Sequence, residues 1–129
     1  MPSKLRISKD SSKQLDFLSK RLKLKRNIVC RLSIGRSLAQ KESVSNLRLK
    51  DSGGYEFNRY TLTGKYDDIM KALIIQHEGK KLSDTLYFLR YLRNHIERGI
   101  SLLYFTYERI NSPIDFLIYL YSFNKNSLT

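Results

Sequence analysis

The chain contains no tryptophan, one cysteine, two prolines and two histidines among its 129 residues. The lone thiol, Cys30, rules out an internal disulfide framework. With the distant His77 and His95 it also lacks the spacing of a Cys/His zinc site, so a fold without metal or cofactor in a reducing compartment is expected. The longest apolar run, Phe116–Tyr121, falls far short of the roughly 20 residues of a membrane span. Residues 1–10 mix Lys4, Arg6 and Lys9 with isolated Leu5 and Ile7, and so lack the apolar centre of a signal peptide. These absences predict a cytoplasmic protein with no membrane partner. His77 and His95 fall on separate predicted helices without a carboxylate and nucleophile at supporting spacing, so no catalytic residue is assigned.

Acidic residues are scarce in one part of the chain only. Residues 1–50 hold fourteen Lys and Arg against Asp10, Asp16 and Glu42, an excess of eleven, whereas residues 51–129 hold ten against nine. A fold needs only solvated surface, but a concentrated positive field attracts polyanions and releases their counterions on contact. The N-terminal third is therefore expected to face nucleic acid. Lys4, Arg6, Lys13, Lys20, Arg21, Lys23, Lys25, Arg26 and Arg31 are the candidate DNA contacts, centred on Lys20–Arg26. Contacts to phosphate supply affinity with little sequence reading.

Residues Lys4–Ser8 alternate, with Leu5 and Ile7 on one face, as in a short half-buried strand. Ser11 and Gln14 have capping-box spacing, and Leu15, Leu18 and Leu22 then recur at helical spacing. After a basic turn, Asn27 can cap a second helix carrying Ile28, Leu32, Gly35 and Ala39 on one flank. Strand, helix, helix is the order of a ribbon-helix-helix module of the Met repressor kind, whose strand pairs with a second copy and enters the major groove. The second helix's free amides can also receive a phosphate. A basic arm preceding two ordinary core helices fits the same residues.

The helical period vanishes from Glu42 to Tyr66, around a turn at Asp51–Gly54, and Tyr55–Leu62 reads as extended. Asp67 and Asp68 open a helix that Gly79 ends; carboxylates favour that position electrostatically without any metal. Ser83 caps the next helix, with a stripe of Leu86, Leu89, Leu92 and Ile96, and Gly99 marks a break or a close helix contact. Ser112 and Pro113 open a last helix. The expected fold is mainly α, a single domain over 1–129. It divides into a basic ribbon-helix-helix-like module (4–41), a long ordered loop (42–66), a helical remainder (67–122) and a frayed tail (123–129).

Three segments resemble the DndE family of prokaryotic DNA phosphorothioation systems, which replace a non-bridging phosphate oxygen with sulfur. Asn27-Ile28-Val29-Cys30-Arg31-Leu32 is similar to the family's N-I-L-C-R-[LI] helix. Gly54-Tyr55-Glu56-Phe57-Asn58-Arg59-Tyr60-Thr61-Leu62-Thr63-Gly64 is similar to its G-x-E-F-N-R-Y-T-L-x-G segment, and His95-Ile96-Glu97-Arg98-Gly99-Ile100 to its H-[IM]-N-R-G-[IV]. Two departures stand out: Lys23, Lys25 and Arg26 occupy an inter-helix turn where the family often has Gly and Thr-Pro, and Glu97 replaces the usual Asn. The resemblance implies a small, non-catalytic DNA-binding member of a complex whose chemistry lies in a cysteine desulfurase, an iron–sulfur sulfurtransferase and an ATPase. It also implies a homo-oligomer, a tetramer, with a preference for nicked duplex.

Within the motif segment two readings compete. In one, Arg59 reaches a phosphate and Phe57 or Tyr60 stacks on an exposed base. In the favoured other, Phe57 and Tyr60 anchor the loop while Glu56 pairs with Arg59 and Asn58 completes the segment. Cys30 is read as a small buried hydrophobe rather than a sulfur carrier. The alternative function is a stand-alone ribbon-helix-helix regulator or antitoxin reading an operator through Lys4, Arg6 and Ser8.

Overall fold

Inward Leu5 and outward Lys4 and Arg6 form strand β1 (Lys4–Arg6), as their alternation requires. The structure, a computed structural model, describes residues 1–110 and 112–127, with side chains as far as residue 122. After β1 come α1 (Lys9–Leu22), α2 (Arg26–Leu38), β2 (Glu56–Asn58), the single turn α3 (Arg59–Leu62) and a 3₁₀ turn (Gly64–Tyr66). There follow α4 (Asp67–Glu78), α5 (Asp84–Leu86), a π-helical segment (Tyr87–Leu92), α6 (Arg93–Glu108) and α7 (Pro113–Ser127). The molecule is mainly helical.

Strand β1 finds a partner within its own chain. It pairs antiparallel with β2 of its own chain, Leu5 opposite Phe57, with Lys4 opposite Asn58 and Arg6 opposite Glu56. Ile7 and Ser3 extend the ladder through bonds to Tyr55 O, at 3.1 Å, and from Arg59 N, at 2.8 Å. The obligate two-chain ribbon expected of a ribbon-helix-helix module is therefore replaced by a ribbon within one chain. Its second strand comes from the stretch expected to be loop, which folds into β2, α3 and the 3₁₀ turn. Gly54 makes this possible: a Cβ there would lie 2.1 Å from Ser12 Oγ and 2.3 Å from Ser8 O.

Helix caps were only partly legible. Helix α1 starts at Lys9, with Ser8 rather than Ser11 as its cap and Ser8 Oγ accepting from Ser11 N at 3.2 Å. Helix α2 starts at Arg26 with Lys25 at the cap position and no capping side chain; Asn27 instead donates to Thr61 O at 3.1 Å. Gly79 ends α4 at φ 71°, Ser83 caps α5, and Ser112 Oγ accepts from Asp115 N at 3.1 Å at the start of α7, all as expected. Helix α7 continues to Ser127, over most of the stretch expected as a frayed tail; Leu128 and Thr129 lie outside the described residues.

The core lies between α2 and α6, the most extensively packed pair, with α1 on one side and the π segment against α4. Gly99 is not a break but the point of closest approach: a Cβ there would stand 1.8 Å from Ser33 O on α2. Residues 84–108 form one continuous helix whose π segment shifts the buried face. Tyr87, Phe88, Tyr91, Leu92, Ile96, Ile100 and Leu103 are buried, while Leu86 and Leu89, expected in the stripe, are 37% and 38% exposed. Among the described residues no helix is long and apolar enough to cross a membrane.

Candidate nucleic-acid interface

The nine basic residues singled out from the sequence fall into two groups. Four of them hold the fold together. Lys4 and Arg6 meet Glu56 at 3.8 and 3.0 Å, which ties their outer face to β2. Arg26 donates from Nε to Asp16 at 2.9 Å, reaches Tyr55 Oη at 3.0 Å and lies over the Tyr55 ring at 4.1 Å. Burial alone would raise the Asp16 carboxyl, but the bonds from Tyr55 and Arg26 hold it below its ordinary value. Arg31 donates to Leu62 O at 2.9 Å and Thr61 O at 3.0 Å, so it closes the C-terminal end of α3.

The other group is exposed. The side chains of Lys13, Lys20, Lys23 and Lys25 make neither a hydrogen bond nor an ion pair within the described residues, and Arg21 lies over the Phe17 ring at 5.1 Å. Lys20, Arg21, Lys23 and Lys25 belong to the end of α1 and the turn into α2. Lys23 takes the left-handed conformation (φ 56°, ψ 43°) usually left to glycine, and its N–H returns to Ser19 O. The N-terminus of α2 opens beside it with no side-chain cap and no acidic residue in its first turn. By contrast, α4 opens on Asp67 and Asp68, and α1 on Ser8 and Asp10. Free amides and the positive end of the helix dipole thus share one corner with a run of unpaired cations.

The motif segment is structural at its centre and open at its edge. Phe57 is buried, as expected, but Tyr60 is 83% exposed and anchors nothing. Glu56 and Arg59 do not pair: Glu56 serves Lys4 and Arg6, whereas Arg59 is 9% exposed between two carboxylates. It meets Asp67 Oδ2 and Asp84 Oδ1 at 2.7 Å each, with Pro2 O at 3.1 Å and the Phe88 ring below it at 4.6 Å. The Arg59 bond holds the Asp84 carboxyl well below the usual carboxylate range, and Asp67 is lowered against the opposing effect of burial. Arg59 is occupied, so of this segment only Tyr60 faces outward in the manner needed to stack on a base. Asn58 caps α3, its Oδ1 accepting from Tyr60 N at 2.8 Å.

Cys30 is fully buried, and burial pushes its thiol up to about 12, with Glu97 adding to the effect, as suits the small buried hydrophobe expected from the sequence. His77 and His95, separated in the sequence reading, come together. Their rings stand edge to face with centroids 5.0 Å apart, and Glu78 lies between. Arg98 orders the same region by donating to Ser37 Oγ at 2.8 Å, Ser37 O at 2.7 Å and Glu42 O at 2.7 Å. Sequence reasoning missed this cluster because only the folded chain closes the eighteen-residue gap between His77 on α4 and His95 on α6. It also missed Glu97, which accepts from Ser8 N at 2.7 Å, Ser8 Oγ at 2.8 Å and Ser11 Oγ at 2.6 Å and so completes the cap of α1.

No curated protein matches the chain in sequence. The crystal structure of DndE from Escherichia coli B7A, involved in DNA phosphorothioation modification, is similar at 21% identity and a TM-score of 0.63, covering 80% of this chain and 98% of that one. The crystal structure of a DndE mutant with two glycine-to-lysine substitutions, also involved in DNA phosphorothioation, is similar at 22% identity and a TM-score of 0.62, covering 79% and 97%. At that identity the likeness establishes the fold. The family model described as DNA sulphur modification protein DndE matches residues 4–110, over four fifths of the sequence. With that match the chain belongs to the DndE family, part of the DNA phosphorothioation system.

Proposed function

We propose that this protein is the non-catalytic DNA-binding component of its phosphorothioation complex, holding duplex through backbone phosphates and favouring nicked duplex. The observation that carries the reading is the corner where α1 passes into α2. Four exposed cations, Lys20, Arg21, Lys23 and Lys25, surround an uncapped helix N-terminus with Asp16 as the nearby acid, already taken by Arg26 and Tyr55. A phosphate there meets both a field and directed N–H donors. Tyr60 offers the stacking platform that a strand break exposes.

The sulfur chemistry then belongs to other subunits in the cytoplasm: a cysteine desulfurase, an iron–sulfur sulfurtransferase and an ATPase. Burial of Cys30 supports this division. Self-assembly into a homo-oligomer, a tetramer, is supported by α7, whose Ile114, Leu117, Ile118 and Tyr121 are 69%, 49%, 56% and 69% exposed at the spacing of one helical stripe. The regulator or antitoxin reading loses its footing, because the face of β1 that would read bases is tied by Glu56.

Fluorescence anisotropy of the purified chain on intact and nicked duplexes, across a salt series, tests the proposal. Tight, salt-steep binding indifferent to sequence and stronger on the nick is expected. Binding unchanged by the combined substitution of Lys20, Arg21, Lys23 and Lys25 with glutamine would overturn the assignment of the corner.

A further inference from the structure

We propose that His77, Glu78 and His95 form a binding site for a divalent transition ion of the zinc class, independent of the DNA-contacting corner. The argument begins with proton positions. His77 Nε2 lies 2.5 Å from the carbonyl oxygen of Gln40, which can only accept, so Nε2 carries the ring proton. In the neutral ring Nδ1 then presents a lone pair, and it faces Glu78 Oε2 at 2.8 Å. Two acceptors at that distance need a cation between them, either a proton or a metal ion.

The second imidazole separates these two. His95 is fully buried, and its Nε2 has no hydrogen-bond partner; its nearest ion-pairing atom is the same Glu78 Oε2, at 3.5 Å. A proton on the His77–Glu78 pair leaves His95 Nε2 with only that 3.5 Å approach, whereas a metal ion engages all three groups. The three ligand atoms lie within 4.8 Å of one another. A tetrahedral ion with bonds of about 2.1 Å holds its ligands roughly 3.4 Å apart, between that bound and the 2.8 Å contact. Two imidazole nitrogens and one carboxylate oxygen select zinc and its neighbours over magnesium or calcium.

The surroundings are those of a ligand set already held in place. Each histidine has its outer nitrogen engaged, His77 Nε2 by Gln40 O and His95 Nδ1 by Ser37 Oγ at 2.8 Å, which Arg98 in turn fixes. Ser43 Oγ donates to the outer oxygen of Glu78, and Val44 N–H reaches Oε2 at 3.4 Å. The Glu78 side chain is inaccessible, whereas that of His77 is 10% exposed beside a shallow pocket of about 210 Å³ lined by Leu38, Leu73, Gln76 and His77. Of the three ligands only His77 borders that pocket, so the ion's approach lies on its side. The ion would join the end of α4, the segment after α2 and α6.

The test uses the full, tag-free chain after chelator treatment, with circular dichroism to confirm that it stays folded. Titration with zinc chloride by calorimetry should give one site per chain and a melting temperature that rises with zinc concentration, and magnesium chloride should give neither. Substituting cobalt(II) should produce the visible absorption of a tetrahedral site. His77→Gln, at the outer edge of the cluster, should weaken zinc binding at least 100-fold while the chain stays folded, and His95→Gln should do the same if it folds. No zinc binding by the folded wild-type chain, or one-site binding undiminished in His77→Gln, overturns the proposal. Long-range proton–nitrogen NMR showing both His77 nitrogens protonated in the presence of excess zinc would assign the gap to a proton and overturn it equally.

Discussion

A carboxylate taken out of water needs donors, and Glu97 receives three, from Ser8 N, Ser8 Oγ and Ser11 Oγ. The family usually has asparagine at this position; here the charge sits at the positive end of α1, where it is favoured. Glu97→Gln keeps one acceptor oxygen but loses charge and one bond, and should cost about 2 kcal/mol in urea denaturation at pH 7. Arg59 makes the opposite case, a buried cation between Asp67 and Asp84. Arg59→Met strands both carboxylates and should cost about 3 kcal/mol at pH 7. Both acids are held below their ordinary value of 3.8, so their contribution is complete above that value and fades as pH falls through the lower folded values. The gap between wild type and Arg59→Met should therefore narrow steadily below pH 4, measured by denaturation at successive pH values. A gap independent of pH would show that Arg59 acts by packing alone.

At the scale of the element, local signals succeeded where the determinant was local. Asp67 and Asp68, Gly79, Ser83, Ser112 and Pro113 each mark a helix end within a few residues of themselves, and those ends fall where they were expected. The strand β1 was legible as a strand, but its partner was not, since pairing with residues 56–58 is decided by a ladder some fifty residues away. The π segment misled the stripe through Leu86 and Leu89 because an inserted residue per turn rotates the buried face toward Tyr87, Phe88 and Tyr91. Helix α7 carries its own prediction. Phe116 packs on Tyr107 with ring centroids 5.4 Å apart, which leaves the Ile114–Ile118 side uncovered. If copies of the chain meet there, Ile118→Glu should lower the oligomeric mass in sedimentation velocity without shifting the circular dichroism spectrum. An unchanged mass would move the assembly contact elsewhere.

The whole molecule separates two uses of positive charge that the sequence shows as one block. The excess of eleven over residues 1–50 was legible. Which cations are paired within the chain was not, because Glu56, Asp16 and the carbonyls of α3 reach Lys4, Arg6, Arg26 and Arg31 only after folding. The separation predicts a graded salt response. Each of Lys20, Lys23 and Lys25 changed to glutamine should reduce the slope of log affinity against log salt by about 0.9 if it touches one phosphate, with stability nearly unaltered. Lys4→Gln should leave that slope alone. The run of cations in the turn from α1 to α2 was thus legible, but the convergence of His77, Glu78 and His95 was not, since it exists only in three dimensions.

The cap of α1 has a consequence for how the protein is made. Ser8 waits for an acceptor 89 residues further on, and at a synthesis rate of about 5 to 20 residues per second that acceptor leaves the ribosome roughly 5 to 18 seconds later. Until β2 and later α6 have emerged, the basic helices lack the elements that cover them beside the polyanionic ribosomal RNA. The last half of the chain acts toward the first as a delayed lid, so the corner between α1 and α2 gains its full packing only after α6 is made.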